Sequence, residues 1–431
     1  MAGKSSLTTS YIRRILAQST VEELEARLGS SHDSLPERFP GGSRVTPEAL
    51  NRRWKSLEPA GESGTIREAL LDPLTARQAD AYSSNIENFI GTVKVPVGIA
   101  GPLRVNGLFA KGDYHVPLAT TEAALVASYH RGACLLTAAG GCRSILLYEA
   151  LSRSPAFAFE NLISVGKFLL WATEALDHFR AETEKVTRHG KLLDMGISVE
   201  GNHVYLDFEF TTGDASGQNM VTIATQSVCD YILRNTPVKP VAHYVEGNFS
   251  GDKKASAQSF TTVRGKKLSA EVDLSAALVE KHLSSTPGRM ADYWRMSAIG
   301  GVLSGTIGVQ GHFANGLAAV SIACGQDAAC VAESAVGVTR FEVTPSGSLY
   351  ACVTLPNIVV GTVGGGTGLP SQNACLQLMG LSGAGHSQAF AEVVAALLLG
   401  GELSIIGALS AGQFTSAHEK LARRRTAQPR E

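Results

Sequence analysis

Residues 202–211 read Asn-His-Val-Tyr-Leu-Asp-Phe-Glu-Phe-Thr, and residues 213–220 read Gly-Asp-Ala-Ser-Gly-Gln-Asn-Met. In the first run Val204, Leu206, Phe208 and Phe210 alternate with Tyr205, Asp207 and Glu209, the period of a strand buried on one face. The second run is a turn of small residues, and a helical pattern follows from Asn219 to about Arg234. A further helix is expected near Ala156–Thr183. Strand, turn and helix within one block mark residues 145–245 as an inserted α+β module. Small residues at a strand-to-helix junction also let a phosphate or nicotinamide approach backbone N–H groups.

Outward from this block, residues 1–65 read as a helical N-terminal region. Tyr11–Leu28 is amphipathic, a polar loop follows, and a short helix over Pro47–Leu57 carries Trp54 as its anchor. Val93–Val105 reads as short strands and turns. Ala123–Ala139 reads as a core helix rich in alanine and leucine, with Thr120 or Thr121 as its N-cap. Residues 246–431 alternate strands and helices and end in a polar tail from Arg423. The most apolar stretch, Val393–Ala411, contains Glu402 and three glycines, so a buried helix is expected rather than a membrane span.

The chain has 431 residues, 44% hydrophobic and 18% charged, with a net charge of -1. That length predicts two or three domains, and that balance excludes the basic footprint of a nucleic-acid binder. Its seven cysteines include no C-x-x-C pair, which argues against a disulfide framework or zinc site. The first residues lack the apolar core of a signal peptide, so a soluble cytoplasmic protein with no membrane anchor is expected.

Four ionisable residues stand in short, separate runs: Glu122 in Ala-Thr-Thr-Glu-Ala-Ala (119–124), Lys253 in Gly-Asp-Lys-Lys-Ala (251–255), Asp327 in Cys-Gly-Gln-Asp-Ala-Ala (324–329), and His418 in Ser-Ala-His-Glu-Lys (416–420). Singly, each has an ordinary reading: a helix N-terminal acid, a solvated turn, an N-cap and a surface histidine. Together, and with the glycine run Gly361–Thr367, they resemble the 3-hydroxy-3-methylglutaryl-coenzyme A (HMG-CoA) reductase family from about residue 80 to 425.

The resemblance implies an α+β fold: a large catalytic domain with a buried central helix (66–144 and 246–431), a ferredoxin-like NADP-binding insert (145–245), and a helical N-terminal cap (1–65). It implies NADPH-dependent, four-electron reduction of HMG-CoA to mevalonate and free CoA, without a metal. In that scheme Lys253 stabilises the hemithioacetal oxyanion, and Glu122, protonated through burial, supplies protons. Asp327 sits between these two and holds Lys253, and His418 protonates the departing thiolate.

Cofactor contacts are implied at Thr187, Arg188, Asp214, Gly217, Asn219, Gly364, Gly365, Gly366 and Thr367, with Arg188 favouring NADPH over NADH. Arg143, Lys254, Asn315 and Gln326 match acyl-binding positions, and Ser128 and Arg131 lie toward CoA. The family builds its site between subunits, so a homodimer is the minimum assembly implied.

This chain departs from the pattern at several positions. Ser216 and Gln218 replace methionines, and Glu246 replaces a serine beside the substrate carboxylate. Met296 or Arg295 stands where a pocket lysine is expected. The departures at Glu246, Ser216 and Gln218 leave open a reductase of another acyl-CoA or carrier-bound thioester. A catalytically inert binding homologue is the reading from a different class.

Overall fold

A computed structural model describes residues 20–30, 37–57 and 63–412, together with residues 10, 13, 14 and 17. The chain divides into two compact units: Met1–Ala76 with Ile86–Gly91, and Arg77–Asn85 with Thr92–Glu431.

The first unit contains helices α1 (Val21–Leu28), α2 (Pro47–Leu57) and α3 (Ser63–Leu70). Only the last part of the helix expected over Tyr11–Leu28 lies wholly in the described residues. It begins with a capping box, in which Thr20 and Glu23 satisfy each other's backbone N–H. Trp54 is buried on α2, and its Nε1 donates to the Ile90 carbonyl at 2.9 Å. Its neighbour Arg53 is buried too, donating to the carbonyls of Phe89, Gly42 and Arg44. A guanidinium carries five donors and no acceptor, so it can tie several loop carbonyls together where a small unit has few apolar residues to spend.

The second unit is built on a ten-stranded sheet with the central order β7-β4-β6-β3-β8-β10-β9. The strands are β1 (Val97–Gly107), β2 (Lys111–Ala119), β3 (Cys142–Arg153), β4 (Ala156–Ala158), β5 (Lys191–Glu200), β6 (His203–Thr211), β7 (Ala242–Tyr244), β8 (Gly265–Leu274), β9 (Val338–Val343) and β10 (Leu349–Ile358). Every named pairing is antiparallel except β1 with β3. The architecture is thus mixed α/β on a mainly antiparallel sheet.

Strand β6 is the 202–211 run, with Val204, Leu206, Phe208 and Phe210 buried. These side chains face α5 (Leu162–Glu174), α6 (Leu176–Val186) and α7 (Gln218–Asn235) in one hydrophobic cluster. The 12-residue β3 joins this region to the rest: Arg143–Ala150 pair with β8, and Leu151–Arg153 with β6. A larger cluster gathers β1, β2, β8 and β10 around several helices, the four longest among them.

Those four helices are α4 (Leu125–Ala138), α8 (Pro287–Ser304), α9 (Phe313–Ala323) and α10 (Ser387–Ser410). Helix α10 is long and apolar enough to cross a membrane, yet most of it is buried inside this unit. It holds two fully buried acids, Glu392 and Glu402. Glu392 accepts N–H groups from Leu108, Phe109 and Ala110, at 3.1, 2.8 and 2.8 Å. Glu402 accepts from the Gly311 and His312 N–H and from the Thr339 hydroxyl. Turn N–H groups that would otherwise be orphaned in the core are satisfied by these carboxylates.

Three sequence expectations change. Helix α4 begins at Leu125, after a left-handed Ala124, so neither Thr120 nor Thr121 is its N-cap. Thr120 instead accepts the Glu122 N–H within a turn. The single helix expected over Ala156–Thr183 is strand β4 followed by two helices. Asn161 caps the first by accepting the Ser164 N–H, and the chain leaves helical geometry at Ala175. The strands and turns expected across Val93–Val105 resolve mainly into one long strand, β1. Its register with β2 shifts between Ala100 and Leu103, on either side of Pro102, which has no N–H to pair.

Candidate active site

The Gly251–Lys254 turn follows the 145–245 block. The Lys254 N–H closes it on the Gly251 carbonyl, and Lys253 adopts a left-handed φ of 58°. The Lys253 ammonium lies 2.9 Å from the Asp327 carboxylate. That hydrogen bond raises the lysine pKa above its ordinary value. Burial pushes Asp327 upward, but the Lys253 hydrogen bond and the Ala329 N–H outweigh it, and its pKa is lowered. Lys253 is therefore held as the cation and Asp327 as the anion.

Beneath this pair lies a charge network that no sequence pattern announced. Glu333, with no exposed surface, pairs with Arg264 at 2.6 Å and accepts the Lys253 N–H at 3.2 Å. Arg264 also reaches Asp252 at 3.0 Å and the Gln218 amide oxygen at 2.7 Å. Arg153 bridges Asp252 and Glu246, at 3.1 and 3.0 Å. Glu246 accepts a further hydrogen bond from the Ser250 hydroxyl. Glu246 thus has its own internal counter-ion.

Glu122 stands elsewhere. It is exposed, and its partner is Asn315, whose amide lies at 3.4 Å. Among the described residues it makes no hydrogen bond or ion pair with Lys253 or Asp327. Asn315 lies near the start of α9 and Asp327 just beyond its end, and nine residues of helix span about 13 Å. One chain therefore holds Lys253 and Asp327 together but does not bring Glu122 to them, and Glu122 lacks the expected burial. His418 lies outside the described residues.

The two glycine-bearing segments expected to hold a dinucleotide do meet. Ala215 bridges Val363, and the Asp214 carbonyl accepts the Thr362 N–H at 2.8 Å. A side chain at Gly361 would strike the Ser216 backbone. Gly217 opens α7 with a φ of 80° and no side-chain cap, leaving the helix's first N–H groups available. Thr187 closes the turn after α6, accepting the Gly190 N–H at 3.0 Å, and Gly190 abuts Met220 of α7. Arg188 is exposed in that turn and Asn219 on α7. Gly364 and Gly365 have positive φ and open space beside them. Gly366 instead packs against Gly325, and the Thr367 hydroxyl turns back to the Gly364 carbonyl.

Other expected ligand contacts are engaged within the protein. The Asp214 carboxylate accepts N–H groups of Gly385 and Ser387 at the start of α10. Gln326 exchanges hydrogen bonds with the Gly361 peptide, at 2.8 and 3.0 Å. Arg143 pairs with Glu271 and Asp273 on β8. Ser128 and Arg131 both bond Ser404, joining α4 to α10. The Lys254 ammonium donates to the Asp252 carbonyl. Apart from that of Lys254, these pairings join elements distant in sequence, which no local pattern encodes.

Residues 49–423 match the family model described as hydroxymethylglutaryl-coenzyme A reductase. A 3-hydroxy-3-methylglutaryl-coenzyme A reductase from Pyrococcus horikoshii is 43% identical over 348 residues, covering 79% of this chain and 84% of that protein. The protein of the same name from Aeropyrum pernix is 39% identical over 416 residues, covering 92% and 99%. Among solved structures, the class II 3-hydroxy-3-methylglutaryl-CoA reductase from Streptococcus pneumoniae bound to NADPH shares the fold, with a TM-score of 0.62 at 17% identity over 82% of this chain and 98% of that one. With a family match spanning most of its length and relatives covering 79% and 92% of it, the chain belongs to the hydroxymethylglutaryl-coenzyme A reductase family.

Proposed function

We propose that the protein reduces HMG-CoA to mevalonate and free CoA, with NADPH supplying two hydrides. The observation that carries this reading is the Lys253–Asp327 pair, a cation fixed beside an acid in the family's own motifs. Reduction of a thioester carbonyl generates an oxyanion, and a preorganised ammonium stabilises that charge as it develops. Asp327 keeps Lys253 protonated and oriented. Collapse of the hemithioacetal releases a thiolate, which His418 protonates. Glu122 delivers protons to the substrate oxygen.

The residues present fit a dinucleotide. The uncapped start of α7 and the open Gly364–Gly365 turn offer backbone N–H groups to phosphates, and exposed Arg188 suits a 2′-phosphate. We therefore take residues 145–245 as a ferredoxin-like NADP-binding module, with residues 66–144 and 246–431 as the catalytic domain around it. Its separate hydrophobic cluster supports that division. Residues 1–65 we take as a helical N-terminal region, with α1 and α2 as its described helices.

We also infer a homodimer whose partner brings Glu122 to Lys253. Two observations support it: Glu122 and Lys253 are apart in one chain, and α8 presents Met296, Ile299, Val302 and Leu303, each more than half exposed. Unpaired cysteines suit a reducing cytoplasm.

The test is oxidation of NADPH by the purified protein with HMG-CoA, followed by absorbance. Lys253→Met should lower turnover at least about 10²-fold, and near-wild-type turnover would remove Lys253 from the mechanism. The Arg153–Glu246 pair neutralises the like charge that motivated a second reading, an acyl thioester without a distal carboxylate. That reading prevails if such a thioester is reduced while HMG-CoA is not.

A further inference from the structure

We infer that Glu333, acting with Arg264 and Gln218, is a positioning residue that sets where the Lys253 ammonium stands. A left-handed φ is unfavourable for a residue with a side chain, so Lys253 keeps 58° only because its surroundings impose it. Those surroundings grip both sides of the Asp252–Lys253 peptide. Glu333 Oε1 accepts the Lys253 N–H at 3.2 Å, while Glu333 Oε2 holds Arg264 at 2.6 Å. Arg264 in turn reaches Asp252 Oδ1 at 3.0 Å, and Arg153 reaches Asp252 Oδ2 at 3.1 Å. Glu333 and Arg264 are 0% and 2% exposed, so water does not compete for the bond between them.

Gln218 ties this clamp to the start of α7. Its amide oxygen accepts from Arg264 at 2.7 Å and from Arg153 at 3.3 Å, and its amide nitrogen faces the Cys330 sulfur at 3.7 Å. Cys330 begins the short stretch that leads to Glu333, three residues after Asp327. The clamp therefore fixes the lysine, its acid partner and the first turn of α7 as one body. Loosening it frees the Lys253 backbone, and with it the position of the ammonium relative to Asp327.

The inference rests on the reading of Lys253 as the oxyanion cation, and its test separates the two. The Lys253 amine is titrated by acylation at graded pH, with the modified peptide quantified by mass spectrometry, a readout that needs no substrate. The groups facing the ammonium are Asp327, Asp252 and Cys330, and the first of these holds its midpoint above an ordinary lysine. Glu333→Gln places an amide donor against a donor of Arg264 or of Lys253, so the Lys253–Asp327 bond loosens. The acylation midpoint should fall toward the ordinary lysine range. In parallel, kcat should fall at least about tenfold while KM for NADPH stays within about twofold.

Gln218→Met keeps the buried charge pair and removes the shared acceptor together with the amide that faces Cys330. It should shift the midpoint the same way by less, and it serves if Glu333→Gln does not fold. A wild-type midpoint in the folded variants overturns the positioning role. Absence of HMG-CoA reduction by the wild type would count against the proposed substrate alone, because the acylation midpoint does not depend on turnover.

Discussion

Asp207 belongs to the polar row of β6, yet it is only 8% exposed and takes a 2.5 Å hydrogen bond from the Ser154 hydroxyl. Burial is the main cause of its pKa rising from 3.8 to about 6, and the nearby charges of Glu209 and Glu246 add to it. Between those two values the folded state keeps a proton that the unfolded chain releases. The group therefore favours folding at low pH, and that contribution is lost as pH rises through about 6. Asp207→Asn keeps the acceptor for Ser154 and removes the buried charge. It should stabilise the protein at pH 7.5 by up to about 3 kcal/mol, with the gain shrinking toward zero near pH 4. Urea unfolding of both forms across that range checks this, and a constant difference would show that Asp207 stays ionised throughout.

Helices α4 and α10 meet at glycines. A Cβ on Gly132 would lie 1.9 Å from the Gly400 carbonyl oxygen, which is backbone and has no room to give. Ser128 and Arg131 on α4 then bond Ser404 one turn further along α10. The close crossing and the polar ties thus depend on each other. Gly132→Ala should force the helices apart and cost about 3 kcal/mol of stability, read as a lowered urea midpoint. An unchanged midpoint would mean that the crossing is looser than the structure has it.

At the scale of the molecule, the proposed dimer turns on the placement of Glu122. If each site takes Lys253 from one subunit and Glu122 from the other, two inactive variants can complement. Glu122→Gln and Lys253→Met, each nearly inactive alone, should regain about a quarter of wild-type turnover when subunits mix at random, because half the dimers are mixed and each has one intact site. Mixtures no more active than either parent would place both residues in the same chain's site. Sedimentation of the wild type would report the dimer independently.

The sequence by itself determined the reaction class, through its family resemblance, and those local elements whose periodicity is clear. The alternation over residues 202–211 is period-two chemistry, readable without any partner. The four motif runs are legible because each is a contiguous stretch. Glu402 and the glycines likewise distinguished a buried helix from a membrane span. What only the tertiary structure decided is pairing across distance. Glu333 looks like any helical acid in Cys-Val-Ala-Glu-Ser, and Arg264 like any turn cation before a strand, until folding brings residues 69 positions apart to 2.6 Å. Glu246 is a like charge in an acyl pocket on the page and the partner of Arg153 in the fold. Asp214 and Gln326, expected at ligands, spend their polar atoms on the backbone of α10 and of Gly361. Hydrophobic periodicity is written locally, because each residue faces water or core on its own account. A buried hydrogen bond needs two groups desolvated together, and the second of them is chosen by topology.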